Sequence, residues 1–425
     1  MAALTIILLF VFMLLGIPIA ISIGLSSMIG IMFASDIPLL VVIQRVLNSI
    51  DSFPLMAIPF FILAGNLMET GGLSKRLVNF SETLVGHRSG GLAMVAILTS
   101  MIFGAISGSS AATVAAVGAI LIPGMIERGY EPRFAAATQA VGGELGIVIP
   151  PSVPMIVYGV TVSASVGDMF IAGIVPGLMI GFSLMLTANF ISRRKGYGGV
   201  EKSTWGERLK AFRKAFLAIL MPVIILGGIY GGVFTPTEAA VVAVVYTIII
   251  GLFVYKELDI SQFPEILKNS FVTTTIVMSL IGFAGIFNWI IVQEKIPQYI
   301  AEFFNQTIHS PITFLLVINL ILLLVGMFIE TGAAIIILAP ILTPIAVTMG
   351  IDPIHFGIIM IVNLAIGMCT PPLGVNLFIS SEIAKIRLEQ IIKPIAPYLI
   401  VVVVNLLVIS FFPQISLFLV DLMHK

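Results

Sequence analysis

The chain has 425 residues, of which 59% are hydrophobic and 10% are charged, and its mean hydropathy is +1.16. A soluble protein carries about a quarter charged residues, so this composition indicates a polytopic membrane protein whose helices satisfy their own backbone hydrogen bonds in lipid. The formal net charge of zero offers no basis for nucleic-acid binding, and the single cysteine, Cys369, excludes an internal disulfide.

Apolar segments of about 20 residues, long enough to cross a bilayer, recur along the chain. The first is too long for a signal-peptide core and lacks a basic start, so it is predicted to remain as a helix. Between the crossings, the weakly amphipathic stretches 36–50, 73–86 and 256–269 suit helices that lie in the membrane interface. The predicted crossings are 4–33, 53–70, 134–163, 171–191, 215–234, 238–255, 270–292, 356–383 and 394–420.

Two further apolar segments, 91–126 and 311–349, are interrupted near the middle by small or polar residues. The interruptions are Ser107–Ser110 in the first segment and Glu330–Gly332 in the second. Each segment is too short for two full crossings with a loop. We therefore predict two re-entrant hairpins, each of which enters and leaves the membrane on the same side.

The helix-breaking residues of the two halves of the chain coincide when the sequence is shifted by 221 residues. A constant offset without gaps indicates a duplicated unit. Duplicated breaks inside membrane segments are typical of secondary transporters whose binding site lies where the two halves meet. The coinciding pairs are Pro123 and Pro344, Gly129 and Gly350, Pro132 and Pro353, Gly146 and Gly367, Pro150-Pro151 and Pro371-Pro372, and Pro176 and Pro397.

The distribution of basic residues predicts the orientation in the membrane. With the amino terminus in the cytoplasm, 18 of the 21 Lys and Arg residues fall in cytoplasmic loops, and only Arg45, Lys295 and Lys425 fall outside. This distribution predicts a cytoplasmic amino terminus and a periplasmic carboxyl terminus. The first hairpin would open to the cytoplasm and the second would open outward.

The fold class predicted from these patterns is an all-α polytopic membrane protein built from two inverted repeats, each with a re-entrant hairpin and a broken helix. An extra crossing between the copies would invert the second one. The predicted boundaries are a first repeat at 1–191 (hairpin 91–126, broken helix 134–163), a cytoplasmic basic linker at 192–214, the extra helix at 215–235, and a second repeat at 236–425 (hairpin 311–349, broken helix 356–383).

The first hairpin tip carries the strongest local signal for a binding site. Gly108 permits a tight reversal of the chain. The hydroxyls of Ser107, Ser109 and Ser110, together with freed carbonyls, can replace the water shell of a hard cation such as Na+ or bind a polar substrate. The alternative is that these small residues only pack the hairpin against its neighbours.

The segment that follows the hairpin, from Gly142 to Ser152, is predicted to be unwound. Its three glycines and two prolines disfavour a regular helix. Unwinding would expose carbonyls that favour a cation and a half-helix amino terminus that favours an anion. A simple proline kink is the alternative, although it accounts poorly for breakers that are repeated in both halves.

The second half of the chain presents the corresponding elements. Its break, Gly367–Gly374, is predicted to lie opposite Glu330–Gly332 and is flanked by Asn363 and Asn376. The same argument for a cation applies, so at least two coupling ions are predicted. The candidate substrate-binding residues of both halves are Ser107, Ser109, Ser110, Ser152, Thr331, Asn363 and Asn376.

Two carboxylates within apolar segments, Glu144 and Glu330, are candidates for a proton-coupled mechanism. The other groups at the hairpin tips are neutral oxygen ligands, which favour Na+ over a proton. For Glu144, the alternative is an internal hydrogen bond that closes an unwound stretch.

Other classes of protein find little support in the sequence. No Gly-x4-Gly-Lys-Ser/Thr motif is present, so transport is not predicted to be driven by ATP bound to this chain. No Ser-His-Asp or His-Glu-x-x-His arrangement is present, so neither an enzyme nor a tightly bound cofactor is predicted. An ion channel would need a continuous pore, whereas two opposed hairpins favour alternating access. The histidines (His87, His309, His355 and His424) are scattered and form no metal-binding cluster.

Several motifs resemble the large membrane subunit of tripartite ATP-independent periplasmic (TRAP) transporters. They are Gly104–Thr113 (GAISGSSAAT), Ile149–Pro154 (IPPSVP) and Gly228–Ala240 (GIYGGVFTPTEAA), and Thr370–Gly374 (TPPLG) fits as well. The resemblance covers essentially the whole chain, and the combination of motifs is specific.

This resemblance implies an elevator-type fold of the ion-transporter superfamily and Na+ symport of an organic acid, such as a C4-dicarboxylate, sialic acid or another sugar acid, across the bacterial inner membrane. The implied partners are a periplasmic substrate-binding protein and a small membrane subunit of about four helices, which is expected to be a separate chain because nothing precedes Met1. The Na+ ligands are expected among Ser107, Gly108, Ser110, Gly142, Gly146, Pro150, Glu330, Thr331, Gly332, Gly367, Cys369 and Thr370.

The main alternative is a stand-alone anion transporter of the same fold, coupled to Na+ or H+, that needs no binding protein. The residues discriminate poorly between these two systems, and the resemblance favours the tripartite one.

Overall fold

The computed structural model describes residues 1–307 and 310–424, so His309 and Lys425, which entered the sequence predictions, lie outside the described part. All regular secondary structure within that part is helical, and the predicted all-α polytopic class is confirmed. By length and composition, eight of the described helices could span a membrane, or nine if a bent pair counts as one span. Two of the eight follow the predicted hairpin tips, so length alone does not distinguish a re-entrant helix from a crossing one.

The helices of the first half are α1 (Ala2–Leu14), α2 (Ile19–Ala34), α3 (Leu40–Ile50), α4 (Ala57–Thr70), α5 (Leu73–Val85), α6 (Gly91–Ser107), α7 (Ser110–Glu127), α8 (Pro132–Val148), α9 (Val153–Thr161) and α10 (Val166–Lys195). Those of the second half are α11 (Trp205–Tyr230), α12 (Pro236–Ile249), α13 (Phe263–Gln293), α14 (Ile296–Thr307), α15 (Pro311–Gly326), α16 (Thr331–Thr348), α17 (Pro353–Met368), α18 (Val375–Ala384), α19 (Glu389–Phe411) and α20 (Gln414–Met423). The offset of 221 residues that relates the sequence breaks also relates the starts of α7 and α16 and those of α8 and α17.

The amino-terminal segment 4–33 is not the single crossing predicted from its hydropathy. The helix ends at Leu14 because Gly16 adopts a φ of 78° and Pro18 cannot continue the helical hydrogen bonding. A Cβ on Gly30 would overlap the hydroxyl of Thr5, so α1 and α2 lie side by side and run antiparallel.

The amino terminus consequently lies at the end of the molecule that was predicted to face outward. The Met1 ammonium group is 3.7 Å from the carboxylate of Glu294, which is adjacent to Lys295. The charge distribution assigns Lys295 to the outside, so the position of Met1 disagrees with a cytoplasmic amino terminus, and the orientation stays a prediction. Under the offset of 221, α1 corresponds to residues 223–235, which include the carboxyl-terminal end of α11, so the predicted extra helix is the counterpart of α1.

Several other boundaries differ from the predictions for identifiable reasons. The helix α11 begins at Trp205, inside the predicted linker, because Thr204 and Glu207 form a capping box. Of the separate interface helix predicted at 256–269, residues 263–269 instead begin the long helix α13, and the preceding residues form a connection with one short 3-10 turn. The predicted crossing at 394–420 is divided into α19 and α20 at Pro413.

The centre of the molecule is formed by the two helices that precede the breaks, α8 and α17. Every residue from Phe134 to Val148 and from Ile354 to Met368 is buried. The helices α6 and α7 pack against α8, and α15 and α16 pack against α17. This arrangement brings each hairpin tip next to the broken helix of its own repeat.

Candidate functional site

The first hairpin reverses at its tip within two residues. Gly108 adopts a left-handed conformation with a φ of 61°, and Ser109 is extended, with φ −134° and ψ 130°. The Ser109 hydroxyl accepts a hydrogen bond of 3.4 Å from the backbone N–H of Ala112, which caps the start of α7. The predicted turn at Ser107–Ser110 is therefore present as a tight reversal between α6 and α7.

Three oxygen atoms cluster directly behind this reversal. The hydroxyl oxygens of Ser107 and Thr113 are 3.0 Å apart, and the Thr113 hydroxyl donates to the carbonyl oxygen of Ser109 at 2.7 Å. The Ser107 hydroxyl is also 3.4 Å from that carbonyl. Ser107 and Thr113 are buried, so the cluster is a set of neutral oxygen atoms shielded from lipid and solvent, and this chemistry fits a hard monovalent cation.

Thr113 was not among the residues predicted to bind. The signal that could have found it is its spacing, because a residue four positions after Ser109 lies one turn along the same face of α7. It also belongs to the motif Gly104–Thr113 that carries the family resemblance.

The first broken helix remains regular for longer than predicted. The helix α8 continues to Val148, and the break occupies Ile149–Ser152, with a bend of 42° between α8 and α9. The prediction that Gly142 and Gly146 are unwound is therefore wrong. Within the regular helix the carbonyl of Gly142 can accept from the N–H of Gly146. The carbonyl of Gly146 lies in the last turn, where the residue four positions on is Pro150, which has no N–H to donate.

The glycines of α8 instead allow the hairpin to approach closely. A Cβ on Gly146 would overlap the hydroxyl of Thr113, and a Cβ on Gly104 would lie 2.8 Å from the Cα of Gly146. Because both faces of this contact lack side chains, the backbones of α6, α7 and α8 meet around the oxygen cluster.

The break itself is joined to the hairpin tip. The backbone N–H of Val153 donates to the carbonyl of Gly108 at 3.2 Å. The Ser152 hydroxyl donates to the carbonyl of Ile147 at 2.7 Å, so this predicted substrate ligand caps the end of α8. Pro150 and Pro151, joined by a cis bond, are buried like Ser152.

The second hairpin tip is built differently. Glu330 caps α16 through a hydrogen bond of 3.1 Å from the backbone N–H of Ala333 to its carboxylate. The Thr331 hydroxyl is buried and donates to the sulfur of Met368, whereas the Thr370 hydroxyl donates to the carbonyl of Ile366. These hydroxyls therefore have separate partners, and they do not form a shared cluster like that of Ser107 and Thr113.

The second break also starts later than predicted. Gly367 is helical, and the break runs from Cys369 to Gly374, the residue that precedes α18. A Cβ on Gly367 would overlap the backbone of Gly326, so Gly367 serves close packing of α15 against α17. Gly332 lies in the first turn of α16 and borders the cavity described below.

Asn376 connects the two repeats at the first tip. Its side-chain amide donates to the Ser110 hydroxyl at 2.7 Å and to the carbonyl of Ala140 at 3.1 Å. The Cys369 thiol donates to the same carbonyl at 3.2 Å. The structure thus brings the predicted substrate-binding residues Asn376 and Ser110 together. In this structure their side chains form a hydrogen bond with each other.

Asn363 is separated from this site. It is fully buried in α17, where its amide donates to Asn319 at 2.7 Å, and Asn319 in turn donates to Ser410. This network joins α15, α17 and α19, so the structure places Asn363 in a packing role away from both tips.

Glu144 lies on the opposite face of α8 from the glycine contact, beside the thiol of Cys369. Its side chain is 1% exposed, and the Cys369 thiol interacts with its carboxylate without forming a well-directed hydrogen bond. The stretch around Glu144 is helical, so its carboxylate does not close an unwound segment.

A cavity of about 410 Å³ lies between the two hairpin tips. The tips contribute Gly108–Ala111 from the first hairpin and Glu330 from the second, and the opposite walls come from α2, α4 and α13. Its polar side chains are those of Ser109, Ser110, Thr273 and Glu330, and the rest of its lining is apolar or glycine. A small organic molecule could therefore contact both hairpins at once while its body packs on apolar walls.

No cluster of three or more His, Cys, Asp or Glu side chains that could hold a metal ion occurs in residues 1–307 and 310–424. The site therefore offers neutral oxygen atoms, two helix amino termini and isolated carboxylates. This set suits reversible binding of a monovalent cation and an organic anion.

Comparison with known proteins relates the whole chain to one family. A family model described as the DctM component of the tripartite ATP-independent periplasmic transporter matches residues 6–415. The chain is 46% identical over 411 residues to the isethionate TRAP transporter permease protein DctMQ of Oleidesulfovibrio alaskensis, which covers 96% of this chain and 64% of that protein. It is 45% identical to the C4-dicarboxylate TRAP transporter large permease protein DctM of Pseudomonas aeruginosa, over 93% of each chain. It is 39% identical to the sialic acid TRAP transporter large permease protein SiaM of Vibrio cholerae, over 94% of this chain and 91% of that one.

A solved structure shares the fold. The YdaH transporter of Alcanivorax borkumensis, whose crystal structure revealed an unusual topology, matches 85% of this chain and 86% of its own with a TM-score of 0.53. The two sequences are 13% identical, so this likeness concerns the fold alone.

Proposed function

Since the chain belongs to the DctM family of TRAP transporter large permease subunits, we propose that it is the permease of a Na+-coupled secondary symporter that imports an organic acid. The observation that carries the proposal is the oxygen cluster of Ser107, Ser109 and Thr113, which lies at the edge of the cavity between the tips. A cation bound there would stabilise the reversal of the first hairpin, and the same reversal presents Ser109 to the cavity.

The substrate class is inferred from relatives and from the site. Relatives that are 39–46% identical are named for isethionate, C4-dicarboxylates and sialic acid, all of which are organic acids. In the cavity, an anionic group would be bound by the hydroxyl of Ser109 and by backbone N–H groups at the start of α7. The coupling cation next to it would supply the positive charge, which makes binding of the cation and the acid mutually favourable.

We propose that the acid crosses the membrane by an elevator-type movement of the hairpins and broken helices. The hairpins and broken helices hold each other through contacts such as Val153 with Gly108 and Asn376 with Ser110, so they would move as one body. The opposite cavity walls, α2, α4 and α13, would form the stationary scaffold. Loading with Na+ and the acid would favour the sliding step, because the bound cation and the acid compensate each other's charge.

Membership of the family supports a proposal about the partners and the location. We propose a separate small membrane subunit, a periplasmic protein that delivers the acid, and insertion in the bacterial inner membrane. In Oleidesulfovibrio alaskensis DctMQ this chain matches 64% of the length, so that relative contains a further region.

The test is uptake into proteoliposomes that contain the chain and its candidate small subunit, with binding protein and a panel of labelled acids. We expect uptake only with both an inward Na+ gradient and the binding protein. Uptake without the binding protein would support the stand-alone transporter. Uptake driven by a pH gradient alone would contradict Na+ coupling and would favour Glu144, whose carboxylate is buried beside the Cys369 thiol.

A matched pair of variants tests the cation site. Thr113→Val keeps the side-chain volume but removes one oxygen from the cluster, and we expect the Na+ concentration for half-maximal uptake to rise about tenfold, equivalent to roughly 1.4 kcal/mol. Thr247→Val is the control, because Thr247 is also buried but donates to Ala243 within its own helix, α12. Equal Na+ dependence in both variants would remove Thr113 from the site.

A further inference from the structure

The cavity between the tips is strongly asymmetric in its polar groups. Ser109 and Ser110 lie at one hairpin tip, and Glu330 lies at the other. Lys, Arg and His are absent from the cavity lining formed by the described residues. An anionic group can therefore be compensated near the first tip by hydroxyls, backbone N–H groups and the coupling cation of the proposed function. At the second tip the Glu330 carboxylate already occupies the start of α16.

The space between these two ends is apolar. Its walls include Ile276, Val277, Leu280, Ile336 and Met368. A substrate with many hydroxyl groups would bury them here without hydrogen-bond partners, which is unfavourable. An acid with an aliphatic body would instead exclude water from the same surface.

The second tip disfavours another negative charge. Glu330 is exposed to the cavity, and its carboxylate is engaged with the backbone N–H of Ala333 at the start of α16. Within the described part of the chain, no Lys or Arg forms an ion pair with it. A second carboxylate at the far end of a substrate would face this like charge across a largely apolar cavity, and the two would repel each other.

We propose that the cavity carries an organic acid with a single anionic group and a mainly aliphatic body, and that Glu330 excludes acids with a second anionic group. This inference rests on the proposed function, because it assigns the charge and polarity of the substrate at the same site. It separates this chain from carriers of dicarboxylates and of polyhydroxylated acids.

The experiment is binding to the purified full-length chain in nanodiscs with Na+, at a pH where the acids are fully ionised. Monomethyl succinate and succinate form a pair of similar size that differ by one charge, and hexanoate and gluconate differ in the polarity of a six-carbon body. We expect the singly charged or apolar member of each pair to bind at least about tenfold more tightly.

Variants of Glu330 test whether its charge causes the preference for the singly charged acid. In Glu330→Gln, whose amide oxygen can still accept from Ala333, we expect the preference for monomethyl succinate over succinate to fall to less than about threefold. Glu330→Asp is the control that keeps the charge, and it is expected to keep the preference.

The outcomes separate the inference from the proposed function. The inference would be overturned if succinate bound the unsubstituted chain as tightly as monomethyl succinate, or more tightly. It would also be overturned if Glu330→Gln kept the preference for monomethyl succinate. In both cases, binding that still depends on Na+ would leave the proposed function intact. If Glu330→Gln weakens Na+ binding and alters the affinities of both succinates equally, Glu330 is a cation ligand and the inference is also overturned. Failure of every acid to bind, with no effect of Na+, would contradict both.

Discussion

At the scale of single residues, the glycines show how a correct signal can be interpreted wrongly. Helix breakers concentrated between Gly142 and Ser152 did locate the break, but the glycines themselves are helical and only Ile149–Ser152 departs from the helix. Sequence pattern alone cannot distinguish a glycine that unwinds a helix from one that admits a neighbouring backbone, because that depends on the tertiary partner. Here the partner is the first hairpin, through Thr113 and Gly104.

Gly146→Ala is therefore expected to separate the hairpin from α8. The added methyl group would overlap the Thr113 hydroxyl, so the oxygen cluster must shift. We expect a loss of stability of about 1–3 kcal/mol and a strong loss of Na+-dependent uptake. Thermal unfolding of the purified protein and transport assays would measure both effects.

Gly124→Ala is the matched control for this prediction. Gly124 is also helical, in α7, but an added Cβ would find no atom within 4 Å. It should be neutral or slightly stabilising, because alanine is the better helix former. Equal behaviour of the two variants would show that the close contact at Gly146 does not matter for the cation site.

At the residue scale, the first tip was also the most predictable part of the site. Its reversal follows from local turn chemistry at Ser107–Ser110, which needs no knowledge of the fold. Asn363 and Ser152 show the limit of such reasoning, because their partners, Asn319 and Ile147, are determined by packing and by where a helix ends. A polar side chain in an apolar segment indicates that a partner exists, without indicating which one.

At the scale of elements, the connection between the two halves is more than a solvated loop. The segment 196–204 between α10 and α11 is short, and it contacts both ends of the first hairpin. The carbonyl of Tyr197 accepts from Gly90, before α6, and the Tyr197 hydroxyl accepts from the backbone N–H of Glu131, after α7. The ring of Tyr197 stacks on that of Tyr130, with centroids 4.4 Å apart.

Charged groups reinforce the same region. Glu131 forms ion pairs with Arg133 at 2.6 Å and with Lys195 at 2.9 Å. Hydrogen bonds from Arg133 and Lys195 lower the pKa of the Glu131 carboxyl below its usual range. The contribution of these pairs is therefore present at neutral pH and is lost only as the pH falls through that lowered pKa.

We expect Tyr197→Ala to loosen the base of the first hairpin. The variant removes the stacking on Tyr130 and the hydrogen bond from Glu131, so unfolding should become easier by about 1–3 kcal/mol. Trp205→Ala, a comparable aromatic truncation at a side chain that is 84% exposed, should change stability little. A thermal unfolding curve for each variant in the same detergent tests this; similar midpoints would mean that the connection does not clamp the hairpin.

At the scale of the whole molecule, the repeat and the all-α class were predictable because both produce recurring features in the sequence. The antiparallel pair α1–α2 was not, because its turn, Leu15–Pro18, is as apolar as the helices that it joins. Hydropathy averaged along the sequence therefore shows one long apolar segment. One reversal more or less also changes the side of the membrane on which the amino terminus is predicted to lie.

Single-cysteine labelling can establish the sidedness. We expect Ala3→Cys and Lys295→Cys to react with a membrane-impermeant maleimide from the same side, and Lys75→Cys to react from the opposite side. The native Cys369 is buried and should stay unlabelled, and Cys369→Ala provides a clean background. Labelling of Ala3→Cys together with Lys75→Cys would refute the antiparallel arrangement of α1 and α2.

The two breaks, although related by one offset, differ in how they are covered. Ser152 and its neighbours in the first break are buried, and the N–H of Val153 is bonded to Gly108. In the second break Leu373 is 47% exposed, and the adjoining Val375 is 39% exposed. Deuterium should therefore replace the amide hydrogens of Leu373 and Gly374 well before those of Ser152 and Val153, the equivalent positions in the first repeat. The two related halves would then exchange at different rates, one break like a loop and the other like the core. Equal exchange rates at the two breaks would contradict this difference in coverage.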